Sequence, residues 1–270
     1  MNNEVAKQEN TQVSQKKDFD KYLADSLTEV KEALPENFNK ARFVQNSLAF
    51  IHTENGRKIM RTHGNQVIPN LLKGAYLGLD FLNKECYLVP FKNELNFMID
   101  YRGAKKLAKT YAIREIKEIS AQIIRADDEF DYCNEDGEPK FIFRPKLSSK
   151  SKMIGAFAYV KYADGGVLVE YIDKEELDKI KSKSKTSNKG AWVEFPNEMY
   201  KKCVIHRLCK GIEINFDKPK QKELFDDDMA IATDPKEIRE NDKDENANQQ
   251  DFTEIIEQEE TQEEKAKDEV

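Results

Sequence analysis

The spacing of apolar residues changes along this chain, and the change limits the folds open to it. Residues 19–34, Lys40 to about Asn55, and Pro69 to Leu79 carry apolar side chains at helical spacing. Between Cys86 and Ile172 most apolar residues fall in short runs separated by turn residues, as in strands. Helical spacing returns at Pro196, a good first-turn residue. Helices grouped around a block of strands predict an α+β fold.

Two hairpins are predicted within the block of strands. The first joins Cys86–Phe91 to Leu95–Ile99, and the second joins 152–162 to 167–172 through Ala-Asp-Gly-Gly. In 152–162 one face is small and aliphatic, which suits a covering helix, and the other is aromatic. We expect the aromatic side chains to be core residues. Base stacking by Phe157 or Tyr159 is the alternative.

Charge divides the chain into a basic body and an acidic tail. Residues 223–270 hold 19 acidic and five basic residues, whereas residues 1–222 hold 39 basic and 32 acidic ones. This asymmetry indicates a polyanion as the partner of the body. We predict a disordered N-terminus at 1–18, a DNA-binding and oligomerising core at 19–222, and a disordered tail at 223–270. Within the tail, the short apolar element DFTEII is a candidate docking segment for a partner protein.

Several function classes lack their sequence signature. The four cysteines form no CxxC pair and the chain has three histidines, so no zinc-site spacing is present. The motifs GxxxxGK[ST], GxSxG, HExxH and GxGxxG are absent. Free thiols, a polar N-terminus and the lack of a long apolar run indicate a cytoplasmic protein. These patterns favour a binding protein without catalytic residues. A metal-dependent nuclease or a double-strand DNA architectural protein remains the alternative.

The stretch DYRGAKKLAKTYA predicts a helix with one wholly basic face. Arg102, Lys105, Lys106 and Lys109 occur at i, i+3, i+4 and i+7, and no acidic residue interrupts them. Like charges at this spacing cost helix stability, by about a few tenths of a kcal/mol for each adjacent pair. A solvated helix face usually mixes charges of both signs. We therefore favour anion binding over a simple solvent-exposed face.

A second basic helix is predicted from Pro196 to Lys210. Its apolar arc contains Val204, Ile205 and Leu208, and Lys201 falls inside that arc, where an unpaired charge is costly. Basic residues occupy the other side. A lysine-rich loop, KSKSKTSNKG, precedes this helix and could order on a polyanion or be an exposed linker.

Basic stripes, a basic loop and nearby aromatic residues together favour single-strand binding, in which phosphates contact Lys or Arg and bases stack on rings. Trp192 is the predicted stacking or wedging residue. The predicted DNA-binding residues are Lys92, Arg102, Lys105, Lys106, Lys109, Lys189, Trp192, Lys201, Lys202, Arg207 and Lys210.

Two stretches resemble the RecT family of phage single-strand annealing recombinases. The first is VPFKNELNFMIDYRGAKKLA, residues 89–108, which resembles the family pattern of proline, aromatic residue, turn, strand and Tyr-Arg/Lys-Gly helix. The second is residues 192–210, which resembles the family helix that runs from a tryptophan through a lysine pair to Arg-Leu. The resemblance covers about residues 20–215.

This resemblance implies a fold, an activity and a set of partners. The implied fold is a bent antiparallel sheet with packed helices. The implied activity is annealing of complementary DNA strands without ATP, with no cofactor and with Mg²⁺ only as a modulator. The implied partners are single-stranded DNA, the annealed duplex, further copies in a ring or helical filament, and a phage exonuclease. A host single-strand binding protein is a further candidate for the tail.

Overall fold

A computed structural model describes residues 19–91, 93–135, 138–184 and 187–233. The described chain forms two compact units. The first unit contains the residues up to Glu115 together with Ile212–Ala232, and the second contains Ile116–Gly211. Both units combine helices with antiparallel strands, so the predicted α+β class is confirmed.

The first unit is mainly helical and contains one hairpin. Its elements are α1 at 19–29, a 3₁₀ turn at Lys31–Ala33, α2 at Lys40–Ile51, α3 at Glu54–Leu77, β1 at Cys86–Phe91, β2 at Glu94–Ile99, α4 at Tyr101–Tyr111 and α8 at Pro219–Thr233. The Asn39 side chain caps α2 by accepting a hydrogen bond from the Arg42 backbone N–H. The predicted hairpin is confirmed by the pairing of Cys86 with Ile99 through Phe91 with Glu94.

The largest error of prediction in the first unit concerns α3. This helix begins at Glu54, where Thr53 caps it, and runs through Pro69 instead of starting there. The backbone leaves helical geometry at His63, so a kink precedes the proline. Proline is favoured in a first turn but costs a helix interior one hydrogen bond, and Pro69 therefore indicated a start. Burial of Ile59, Val67 and Leu71 on one side stabilises the helix on both sides of the kink.

The second unit is built on a three-stranded antiparallel sheet of order β3-β6-β7. Its elements are β3 at Ile116–Arg125, β4 at Glu129–Glu135, β5 at Glu138–Arg144, β6 at Met153–Tyr162, β7 at Val167–Asp173, α5 at Lys174–Lys183, α6 at Ala191–Glu194 and α7 at Pro196–Lys210. Helix α7 contacts all three strands of this sheet. Asp173 caps α5 by accepting a hydrogen bond from the Glu176 backbone N–H.

The two faces of β6 are used as their side chains predict. Ala156, Ala158 and Val160 are fully buried on one face. On the other face Phe157 is also fully buried, and its ring centroid lies 4.8 Å from that of Phe130 in the hairpin β4–β5. Phe157 is thus a core residue here, and base stacking by this ring is not supported.

The core extends past its predicted end at residue 222. Helix α8 crosses that boundary, and Leu224 and Phe225 within it are 7% and 6% exposed. Asp228 accepts a hydrogen bond of 2.9 Å from the backbone N–H of Ile99, so an acidic side chain provides the acceptor for a backbone donor of strand β2. The run Asp226–Asp228 predicts a solvated tail, but the helix places one of its carboxylates inside the unit. The predicted disordered N-terminus at 1–18, and residues 234–270 of the tail predicted at 223–270, lie outside the described residues.

Candidate nucleic-acid interface

Helix α4 carries the first predicted basic face. The Asp100 side chain caps the helix by accepting a hydrogen bond from the Arg102 backbone N–H. Close packing fixes the opposite face, since a Cβ at Gly103 would lie 2.1 Å from the Glu85 carbonyl oxygen. Ala104 and Leu107 are buried beside it. The fold therefore turns the basic side of α4 outward.

The four basic residues of α4 differ in their surroundings. Arg102, Lys106 and Lys109 are exposed, whereas Lys105 is half-buried. The Arg102 guanidinium lies 5.4 Å from the centroid of the Tyr101 ring. A hydrogen bond with Tyr101 raises the pKa of Arg102, so the guanidinium stays charged.

Lys106 has a structural role in addition to its charge. Its ammonium donates to the Gly78 carbonyl oxygen at 2.8 Å and to Glu85 Oε2 at 2.7 Å. Gly78 is the left-handed residue that ends α3, so this lysine binds a carbonyl at a helix C-terminus, where cations are favoured. Lys106 also lines a cleft of about 680 Å³ in the first unit.

The basic side of α7 is engaged by acidic residues. The Arg207 guanidinium donates to Glu176 at short range, and its Nε lies 3.8 Å from Glu170. The hydrogen bond with Glu176 raises the pKa of Arg207. Burial raises the pKa of the Glu170 carboxyl, and Arg207 opposes that shift. Arg207 therefore neutralises two carboxylates of its own unit.

Lys201 does not occupy an apolar environment. Its ammonium donates to Glu198 Oε1 at 2.9 Å, one turn earlier on the same helix, and its side chain is 30% exposed. The helical spacing predicted Lys201 within the apolar arc. Val204, Ile205 and Leu208 of that arc are buried, whereas Lys201 is not. Lys202 and Lys210 are half-buried on the remaining surface of α7.

Trp192 is packed inside the second unit. It is 5% exposed and makes an edge-to-face contact with Tyr200 at 5.7 Å between ring centroids. The Tyr200 hydroxyl in turn donates to Asp178 at 2.9 Å. Base stacking by Trp192 would require the indole to leave this contact. Lys189 is half-buried in the loop before α6, and Lys92 lies outside the described residues.

Further basic residues were not identified from the sequence. Arg57 and Arg61 are exposed on the first half of α3. The available signal was Thr53 followed by Glu54, a cap and an acidic first turn, which starts the helix well before Pro69. In the second unit a cleft of about 410 Å³ is lined by Arg125, Lys146 and Lys201 among other residues. Strand β3, the loop after β5 and α7 bring these three together, which no local pattern predicts.

Among the described residues no three His, Cys, Asp or Glu side chains cluster in a way that could hold a metal ion. Within the same residues, no helix combines the length and apolar character that crossing a bilayer requires.

Comparison with known proteins identifies the family. Residues 41–246 match the sequence profile described as RecT family. The chain is also 31% identical over 158 residues to Protein RecT of Escherichia coli (strain K12), and the alignment covers 55% of this chain and 57% of that protein. The chain thus spans little more than half the length of this curated relative. Because the family match covers most of the chain, including α4 and α7, this protein belongs to the RecT family.

Proposed function

We propose that this protein binds single-stranded DNA and anneals it to its complement without ATP, as part of homologous recombination. The observation that carries the proposal is the basic face of α4, which a buried apolar face holds outward within the matched region. Cationic side chains on a rigid helix neutralise phosphates without reading sequence, which is what annealing of any complementary pair requires. The bases supply the pairing energy.

The proposal extends to assembly and to the acidic end of the chain. We infer that several copies coat one strand, since a single basic face covers only a few nucleotides. We also infer that residues 234–270, with 15 acidic and five basic residues, compete with DNA for basic surfaces and dock a partner through the apolar element DFTEII. A phage exonuclease that produces the single strand is the proposed partner, and a host single-strand binding protein is the second.

An annealing assay without ATP tests the central proposal. Two complementary oligonucleotides labelled with a fluorescence donor and acceptor are mixed at a concentration where spontaneous pairing is slow. We expect the protein to accelerate the appearance of energy transfer by at least tenfold, with and without Mg²⁺. A matched pair of non-complementary strands is the control. Equal rates with and without protein would overturn the proposal.

Two alternatives are separated by the same reagents. A metal-dependent nuclease would shorten an end-labelled strand in Mg²⁺ and leave it intact in a chelator. A double-strand architectural protein would be displaced from labelled single-stranded DNA by an equal mass of duplex competitor. We expect intact strands under both conditions and poor competition by duplex.

A further inference from the structure

The loop between β5 and β6 presents a leucine to solvent. Leu147 is 87% exposed, more than the other large hydrophobic residues that are exposed in the described chain. A leucine stabilises a fold by leaving water, so an exposed Leu147 contributes little to the stability of its own unit. Its position is a loop tip, where a polar residue would be the ordinary choice.

The loop that carries Leu147 is held in one conformation by two carboxylates. Asp128 Oδ1 accepts a hydrogen bond of 2.8 Å from the Lys146 backbone N–H, directly before the leucine. Asp127 Oδ1 accepts from the Ser149 hydroxyl at 2.6 Å and from the Ser151 hydroxyl at short range. These hydroxyls lower the pKa of Asp127, so the carboxylate that anchors the loop is ionised at neutral pH.

The tip itself is a strained turn. The Ser149 backbone N–H donates to the Lys146 carbonyl oxygen at 3.2 Å, which closes a four-residue turn with Leu147 and Ser148 at its centre. Ser148 has a φ of 60°, a value that L-residues other than Asn and Asp seldom adopt. A residue in such a region destabilises the backbone locally and persists only where the surroundings fix it. The turn that projects Leu147 into solvent thus requires an unfavourable backbone conformation at Ser148.

The charge around the tip selects the kind of partner. From Lys140 to Lys152 the chain contains five basic residues and no acidic one. The carboxylates that face this segment, Asp127 and Asp128, are engaged in anchoring the loop, and Glu129 pairs with Arg144. Lys146 and Lys150 are exposed on either side of Leu147, and the Lys146 ammonium is 3.8 Å from Asp127 Oδ2. Pro145 and Lys146 also line the cleft that contains Arg125 and Lys201. One leucine among cations is too small an apolar area for a stable protein interface, but it suits a polyanion with apolar planes.

We propose that Leu147 is a wedge that inserts between two neighbouring bases of single-stranded DNA, while Lys146 and Lys150 contact the phosphates on either side. Apolar side chains flanked by basic residues insert between base steps in other DNA-binding proteins, where they unstack the bases. An unstacked step is open to a complementary strand. The inference rests on the proposed function, because it names a contact for the strand that the protein is proposed to bind.

Substitution of the leucine in the full-length protein tests the wedge. The probe is an oligonucleotide with one 2-aminopurine between two adenines, whose fluorescence rises when stacking is lost. We expect wild type to raise the emission and Leu147→Ala to lose most of that rise and to bind about tenfold more weakly. The salt dependence of binding should not change, because leucine contacts no phosphate. Ile142→Ala is the matched control, since Ile142 is 46% exposed on the adjoining strand and is not part of the proposed contact.

A second variant introduces a tryptophan whose fluorescence measures the environment of the loop tip. Leu147→Trp places an exposed indole at the tip, while the natural Trp192 stays buried. We expect single-stranded DNA to quench the new emission by stacking, with no change when protein alone is concentrated. A change on concentration without DNA, and none on adding DNA, would assign the tip to contact with a second copy and overturn the wedge.

The outcomes separate this inference from the function on which it rests. If wild type neither binds nor anneals single strands, the proposed function fails and the wedge fails with it. If wild type binds and anneals but Leu147→Ala matches Ile142→Ala in affinity and in 2-aminopurine emission, the wedge alone is wrong. Equal melting temperatures of both variants and wild type would confirm that neither change acts through unfolding.

Discussion

Helices α4 and α7 carry the same sequence pattern, a row of basic residues opposite an apolar face, but the fold uses the two rows differently. On α4 three of the four predicted residues are exposed, and Lys106 pairs with Glu85. On α7 Arg207 pairs with Glu176 and Glu170, and Lys201 pairs with Glu198. The spacing of basic residues therefore predicts the charge of a helix face. Ion pairs with neighbouring acidic residues then reduce the part of that charge that can bind phosphate.

The origin of the difference lies in the elements packed beside each helix. Helix α7 lies against a sheet whose last strand contributes Glu170 and whose following helix contributes Glu176. Helix α4 lies beside the hairpin β1–β2, where Glu85 just before β1 meets Lys106. We therefore rank α4 above α7 as a phosphate-binding surface.

The largest expected effect is on the unit that carries α4. Truncation after Lys222 removes the buried side chains of Leu224 and Phe225 and the acceptor that Asp228 offers to Ile99. Each of the two apolar side chains is worth about 1.5–3 kcal/mol, so we expect a loss of about 4 kcal/mol in the free energy of unfolding. Urea denaturation followed by circular dichroism measures it.

Truncation after Thr233 is the matched control for this experiment. It keeps α8 and removes only residues 234–270, whose net charge is negative. We expect the same urea midpoint as the full chain and tighter binding to single-stranded DNA at low salt, with the gain lost as salt screens the charges. If the chain that ends at Lys222 were as stable as the chain that ends at Thr233, α8 would not belong to the core.

The second effect concerns DNA binding by α4. Arg102→Ala combined with Lys109→Ala removes two exposed charges and leaves the Lys106 contacts with Gly78 and Glu85 in place. Each lost phosphate contact lowers the salt slope by about 0.7 on single strands, so we expect the slope to fall by about 1.4 and the affinity by roughly tenfold at low salt. Fluorescence anisotropy titrations at four salt concentrations check this.

A matched variant tests the ranking directly. Lys202→Ala with Lys210→Ala removes two charges from α7, where both residues are half-buried. We expect a smaller fall in the slope than for the α4 variant. An equal or larger fall would reverse the ranking and make α7 the main phosphate-binding surface.

The sequence predicts secondary structure well wherever one local signal suffices. The basic helix predicted at DYRGAKKLAKTYA forms as α4, and the hairpin between Cys86 and Ile99 joins the two predicted strands. It fails where a distant contact overrides the local signal. Pro69 lies inside α3 because burial on both sides of a kink outweighs one lost hydrogen bond.

The candidate site is less predictable than the fold. Helical spacing correctly places Arg102 and Lys109 on one exposed face. It gives no sign that Glu176, thirty-one positions away in sequence, binds Arg207, or that Trp192 packs on Tyr200. These contacts depend on how the sheet and helices of the second unit assemble, and no local pattern in the sequence predicts them.

The third effect separates stability from binding at Arg207. Arg207→Ala leaves Glu170 and Glu176 without their cation in a partly buried site, so we expect a loss of about 1–2 kcal/mol in the free energy of unfolding. DNA affinity per folded molecule should change less than in the α4 variant. Arg207→Lys keeps the charge but not the planar fork, and should recover part of the stability. Unchanged stability with a large loss of affinity would show that Arg207 binds DNA instead.

A smaller effect is expected at Lys201. Its pair with Glu198 is solvent-accessible at one end, since the Glu198 side chain is 64% exposed, so Lys201→Leu should change stability by less than about 0.5 kcal/mol. The same variant should weaken single-strand binding if the cleft with Arg125 and Lys146 takes a phosphate. Glu198→Gln is the control, because it releases Lys201 without removing its charge and should leave binding equal or stronger. Weaker binding by Glu198→Gln would mean that the pair positions the lysine.

The smallest effect is the pH dependence of the Arg207 loss. Burial raises the pKa of Glu170 above its ordinary value of 4.5, and Arg207 opposes that shift. A raised folded pKa means that the folded state holds the proton more tightly, so stability is lost as pH rises through the ordinary value toward the folded one. Without Arg207 the folded pKa rises further, so the penalty measured at pH 7 should be smaller at pH 5, where a larger fraction of the Glu170 carboxyl is protonated. Urea midpoints at both pH values measure it, and Glu170→Gln in the Arg207→Ala background should remove most of the pH dependence. A loss of equal size at both pH values, with or without Glu170→Gln, would mean that Arg207 stabilises the unit by packing and not by charge, and the contrast between α4 and α7 would then need another explanation.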